Sequence, residues 1–118
     1  MKKVLVIDDD VDVLTVVEII LSRNNYIVEA ISKWQYFSYS VQYFKPDLIL
    51  LDVSLTGADG REICRELKSS EETANIPVII FSANQKFLED LKGCKPDAVI
   101  AKPFEIPALL ETVEKNIG

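Results

Sequence analysis

Val4-Leu5-Val6-Ile7-Asp8-Asp9-Asp10, close to the N-terminus, is the stretch from which the architecture can be read. Four aliphatic residues in a row, with no polar alternation, suit a strand covered on both faces, and three acids then end it at once. Similar short runs recur at residues 26–30, 48–51, 78–81 and 98–101. The intervals between them carry apolar residues at helical spacing: Leu14, Val17 and Leu21 with Val13 and Ile20; Trp34, Phe37, Val41 and Phe44; Ile63 and Leu67; Phe87 and Leu91. After the last run, Ile106, Leu109, Leu110, Val113 and Ile117 make the clearest stripe. Strand then helix, five times over and with no hairpin signal between strands, predicts an α/β fold whose parallel sheet has helices on both faces.

Right-handed crossovers leave few topologies, and a doubly wound five-stranded sheet of flavodoxin-like order 2-1-3-4-5 fits best. Pro46 follows the second helix, and Pro77 and Pro107 fall at element starts, where a missing N–H costs little. At 118 residues the chain has room for one domain, taken as residues 1–118. It stops directly after the last helix, so no output domain is expected within it. No apolar run reaches the roughly 18 to 20 residues that cross a bilayer. The acids at Asp8–Asp10 also cut the N-terminal apolar stretch far short of a secretion signal. A cytoplasmic location is the expectation. The net charge of −6, with no basic stripe, argues against a nucleic-acid backbone as this domain's direct partner. Cys64 and Cys94 lie far apart among apolar neighbours, and the chain has no histidine to complete a zinc site. Reduced, partly buried thiols are therefore expected. Without histidine, any chemistry falls to carboxylates, hydroxyls and lysines.

Ligands of an open parallel sheet bind at the carboxyl ends of its strands. There the chain places Asp8 and Asp9 after the first strand, Asp52 at the end of the third, Ser82 after the fourth and Lys102 after the fifth. Clustered acids repel one another, so at least one should have a raised pKa unless a cation is present. Mg²⁺ relieves such repulsion by taking a few carboxylates, a carbonyl and several waters. A carboxylate beside a cation, a lysine and a hydroxyl is equipped to accept a phosphoryl group, a transfer that needs mainly positioning and charge stabilisation.

These fragments resemble the receiver domain of bacterial two-component response regulators. They are Val4-Leu-Val-Ile-Asp-Asp-Asp10, Pro46-Asp-Leu-Ile-Leu-Leu-Asp52, Asp59-Gly60, Ile79-Ile-Phe-Ser-Ala83 and Ala101-Lys-Pro-Phe104, in order and from end to end. The resemblance implies a phosphoprotein of phosphorelay signalling with Asp52 as phosphoacceptor and Mg²⁺ as cofactor. Asp8, Asp9, Asp52 and the Ser54 backbone carbonyl would be the metal ligands. Ser82 and Lys102 would contact the phosphoryl group, with a cis peptide before Pro103 and Ala83 leaving the approach open. Ser54 and Asn84 fall at positions that tune self-dephosphorylation in relatives. The implied donor is a sensor histidine kinase or a phosphotransfer protein, and the domain would catalyse nothing beyond its own phosphorylation and dephosphorylation.

Three departures stand out. Leu55-Thr56 replaces the Met-Pro common after the phosphoacceptor, and Val99 stands where receivers usually carry Tyr or Phe. The interval from Ser82 to Lys102 is about two residues short of the resemblance, which predicts a truncated fourth helix. Tyr36, Tyr39 and Tyr43 form a stripe beside the apolar face of the second helix. It reads either as an amphipathic edge with phenol tips in water or as a partner or homodimer surface. Asp10 and Ser82 are also candidate helix N-caps. A calcium loop starting at Asp8 fails at Val13 and Ile19, and a haloacid-dehalogenase-type phosphatase would need a longer chain. The alternative is a pseudo-receiver, a phosphorylation-independent interaction module, which typically lacks one of the acids or the lysine.

Overall fold

The computed structural model, which describes residues 1–118, is built on five parallel strands. They are β1 (Lys3–Ile7), β2 (Ile27–Ile31), β3 (Leu48–Asp52), β4 (Val78–Ser82) and β5 (Ala98–Ala101). Their order is 2-1-3-4-5 with every adjacent pair parallel, as the pattern predicts. The helices are α1 (Val11–Arg23), α2 (Phe37–Phe44), α3 (Gly60–Ser69), α4 (Gln85–Glu89) and α5 (Ile106–Asn116). Alternate residues of the central strands feed two cores, since successive side chains leave opposite faces. Val4, Val6, Leu50, Ile79 and Phe81 pack with Leu14, Val17 and Leu21 of α1 and Leu109 and Val113 of α5. Leu5, Ile7, Ile49, Leu51 and Ile80 pack with Phe37 of α2 and with Ile63 and Leu67 of α3 on the other face.

Burial on both faces holds for β1, β3 and β4 and fails at the edges. Ile27 of β2 and Val99 of β5 are 43% and 42% exposed. An edge strand has a neighbour on one side only, and each helical layer thins beyond it. Tyr36, Tyr39 and Tyr43 are all more than half exposed, with the rings of Tyr39 and Tyr43 4.6 Å apart between centroids. Trp34 belongs to a 3₁₀ turn, Trp34–Tyr36, ahead of α2. Lys45, at a φ of 54°, ends α2 directly before Pro46.

Asp10 caps α1, accepting the N–H groups of Asp12 and Val13. Ser82 does not cap α4; it is the last residue of β4, and Asn84 caps the helix by accepting from Lys86. The fourth helix is short, as the spacing suggests, so Leu91 lies beyond it rather than sharing its face with Phe87. Arg61 ties this segment down: its guanidinium lies 4.5 Å from the Phe87 ring centroid and donates to the Asp90 carbonyl at 2.6 Å. The same group pairs with Asp59 at 2.6 Å and holds that carboxyl below its usual range.

One expectation is overturned nearby. Cys64 of α3 and Cys94, which precedes β5, are joined as a disulfide with a Cα–Cα distance of 5.8 Å, and no free thiol remains. Thirty positions separate them, but α3 lies against the segment running into β5, so both buried side chains meet.

Candidate functional site at the carboxyl ends of the strands

Parallel strands place their last residues along one edge, and four of the sequence-predicted groups meet there. Asp8, the first residue after β1, is buried; its Oδ1 accepts the Asp10 N–H at 2.9 Å and its Oδ2 the Lys102 ammonium at 2.6 Å. Asp52 ends β3, also buried, with Oδ1 accepting the Val53 N–H at 2.9 Å and lying 3.5 Å from Lys102 Nζ. Ser82 ends β4 and is buried, its hydroxyl accepting the Asn84 N–H at 3.1 Å. Lys102 follows β5 and donates its backbone N–H to the Ser82 carbonyl at 2.9 Å. Its ammonium sits 4.3 Å from the centre of the Phe81 ring, and the Lys102–Pro103 peptide is cis. Asp52, Ser54, Ala83, Asn84, Lys86 and Lys102 surround an open cleft of about 550 Å³.

Asp9 does not join them. Its Oδ2 accepts both the hydroxyl of Thr56, at 2.6 Å, and the Thr56 backbone N–H. No group of three carboxylates is gathered as a metal centre.

The expected electrostatic tension falls on Asp52. Burial first, then the neighbouring Asp8 charge, pushes its pKa up from 3.8 to about 6; Lys102 and the Val53 N–H offset only part of this. One ammonium therefore fails to neutralise the negative charge that Asp8 and Asp52 bring together. Hard oxygen donors with an uncompensated charge are the donor set a divalent cation such as Mg²⁺ takes, so the residues present fit that ion.

Comparison with known proteins agrees with this geometry. The family model described as the response regulator receiver domain matches residues 4–114. The chain is a member of the receiver-domain family. Over 116 residues it is 34% identical to the DNA-binding dual master transcriptional regulator RpaA of Synechocystis sp.. That match takes in 96% of this chain and 48% of RpaA, so the chain spans about half the length of this curated relative. Among solved structures it is similar to the receiver domain of the sensor histidine kinase PA1611 from Pseudomonas aeruginosa PAO1, which has a magnesium ion coordinated in its active-site cleft. Identity is 27% and the TM-score 0.89, covering 99% of this chain and 98% of the other. The response regulator TrrA of Thermotoga maritima, in complex with Mg²⁺-BeF, shares the fold at 23% identity and a TM-score of 0.89, with 98% of each chain covered.

In this receiver the loop after Asp52 contributes more than its motif suggests. Gly60 donates its N–H to the Val53 carbonyl at 2.8 Å, and a Cβ on Gly60 would lie 2.0 Å from the Asp52 carbonyl oxygen. Both neighbours are backbone, so the clash can be relieved only by moving Asp52 or α3. Gly60→Ala is expected to cost about 1–3 kcal/mol in urea unfolding. It should also displace the Asp52 carboxylate from its place in the cleft.

Thr56, Trp34 and Arg61 were not singled out as site residues by sequence reasoning. Thr56 registers there only as the loss of a proline, yet it holds Asp9. Trp34 registers as a core residue, yet its indole N–H donates to the Thr56 carbonyl at 2.7 Å. No local pattern signals either contact, since each spans a long stretch of chain.

Proposed function

We propose that Asp52 is the phosphoacceptor of this receiver. The observation that carries the reading is a buried carboxylate at the end of β3 whose excess negative charge, shared with Asp8, the Lys102 ammonium compensates only in part. Asp8, Asp9, Asp52 and the Ser54 backbone carbonyl would hold Mg²⁺, which when bound supplies positive charge to the transferred oxygens. An Asp52 carboxylate oxygen attacks phosphorus in line, the P–N bond of a phosphohistidine breaks, and the imidazole leaves. Lys102 places its ammonium beside Asp52 to stabilise oxygens of the phosphoryl group, and the Ser82 hydroxyl turns to donate to one of them. Exposed Ala83 leaves the approach open.

The donor would be a sensor histidine kinase or a phosphotransfer protein. The phosphoryl group then biases a two-state equilibrium through Ser82. No ring at position 99 can relay this, since Val99 stands there, already exposed on an edge strand. The interaction-module alternative is disfavoured because both acids after β1, the acceptor, the hydroxyl and the lysine are all present. No helix is long and apolar enough to cross a membrane.

Incubation with acetyl phosphate, with and without Mg²⁺, tests the reading by intact mass. Incorporation of one phosphoryl group only in the presence of the metal is expected; equal incorporation without it would refute the assignment.

A further inference from the structure

Thr56 is the residue that holds Asp9. It directs two donors, hydroxyl and backbone N–H, at the same oxygen of Asp9. Its carbonyl accepts the indole N–H of Trp34 at 2.7 Å. The residue lies at the tip of a small hairpin that pairs Ser54–Leu55 with Ala58–Asp59, with Gly57 turning the chain at a φ of 82°. The consequence for Asp9 shows in its surroundings. It lines a hollow with Lys33, Trp34, Tyr36 and Thr56, whereas Asp52 and Lys102 line the acidic cleft. Nor do three carboxylates gather into a metal centre, although three acids follow β1 in sequence.

We infer that Thr56 is a positioning residue that withholds Asp9 from the cation site, with Trp34 fixing Thr56 in place. This deepens the proposed function and rests on its assignment of Asp9 as a ligand for Mg²⁺. A carboxylate oxygen that already accepts two hydrogen bonds has part of its charge neutralised, and it must give up at least one bond to swing toward a cation. Hydrogen bonds to charged groups are the stronger kind, so the clasp competes directly with the metal. The apparent magnesium affinity of the resting domain is thereby lowered, since only the fraction with Asp9 released binds at full strength.

The test is Mg²⁺ binding by isothermal titration calorimetry to unphosphorylated protein, a readout independent of phosphoryl transfer. Thr56→Val removes the hydroxyl donor and keeps the shape, and should tighten magnesium binding by about 3- to 10-fold. Thr56→Ser restores the hydroxyl and should return the affinity to that of the parent. Trp34→Phe removes the donor to the Thr56 carbonyl and should shift affinity in the same direction by a smaller factor. Trp34, the chain's single tryptophan, should also change its emission as Mg²⁺ is added to the parent, because releasing Asp9 frees the residue its indole holds. Unchanged or weaker affinity in Thr56→Val, with the parent binding the metal, overturns the clasp and leaves the phosphoacceptor reading standing. Absence of binding in parent and variant alike overturns both.

Discussion

Asp52→Asn is expected to abolish phosphoryl labelling while making the metal-free protein more stable at pH 7. The two effects come from the same carboxylate. An amide nitrogen or oxygen is no nucleophile toward phosphorus here, so incorporation from acetyl phosphate should fall to background. The Asn side chain keeps the oxygen that accepts from Val53 N–H, and Lys102 keeps its closer partner, Asp8. What disappears is a buried charge facing a second one.

The sign of the pH dependence follows from the direction of the shift. Asp52 titrates at about 6 in the fold against an ordinary 3.8, so between those values the folded state holds more proton than the unfolded chain. Stability of the parent therefore falls as pH rises through that window and levels off above it. The variant lacks this loss. Its advantage should be of the order of 1–2 kcal/mol at pH 7, less than the full shift implies because the cleft is open to water. It should vanish below pH 4. Thermal melts in chelator at both pH values measure it. A variant that still labels, or that is less stable than the parent at pH 7, would contradict the assignment of Asp52.

Reduction of the Cys64–Cys94 bond should produce the largest loss of stability. A bridge across 30 residues restricts the unfolded chain, worth about 3–4 kcal/mol by loop-closure entropy. In a domain of this size that corresponds to a fall in melting temperature of roughly 12–16 °C. The bridge also anchors the segment around the short α4, otherwise tied to α3 by Arg61 through Phe87 and the Asp90 carbonyl. Cys94→Ala should reproduce the effect of a reductant, and the reductant should then have no further effect on the variant. Equal melting temperatures for oxidised and reduced protein, with two thiols titrating in the reduced form, would show that the bridge contributes nothing.

The strands and their order were legible because the information is local. Uninterrupted runs such as Val4–Ile7 read as buried strands, and strand–helix alternation with right-handed crossovers leaves few sheets, of which the order 2-1-3-4-5 fits best. That topology also made part of the site legible: parallel strands bring their carboxyl ends to one edge, so Asp8, Asp52, Ser82 and Lys102 meet although Lys102 and Asp8 are 94 positions apart. Side-chain partnerships made away from strand ends carry no such signature. Cys64 meets Cys94 because α3 packs on the segment before β5. Asp9 turns to Thr56, 47 positions on, because a small hairpin presents two donors to it. Trp34 reaches that same residue from a 3₁₀ turn. Periodicity specifies which face a residue occupies and which strand end it follows. Which of several nearby donors captures a carboxylate is set by loop geometry and packing distance, and only the folded chain decides it.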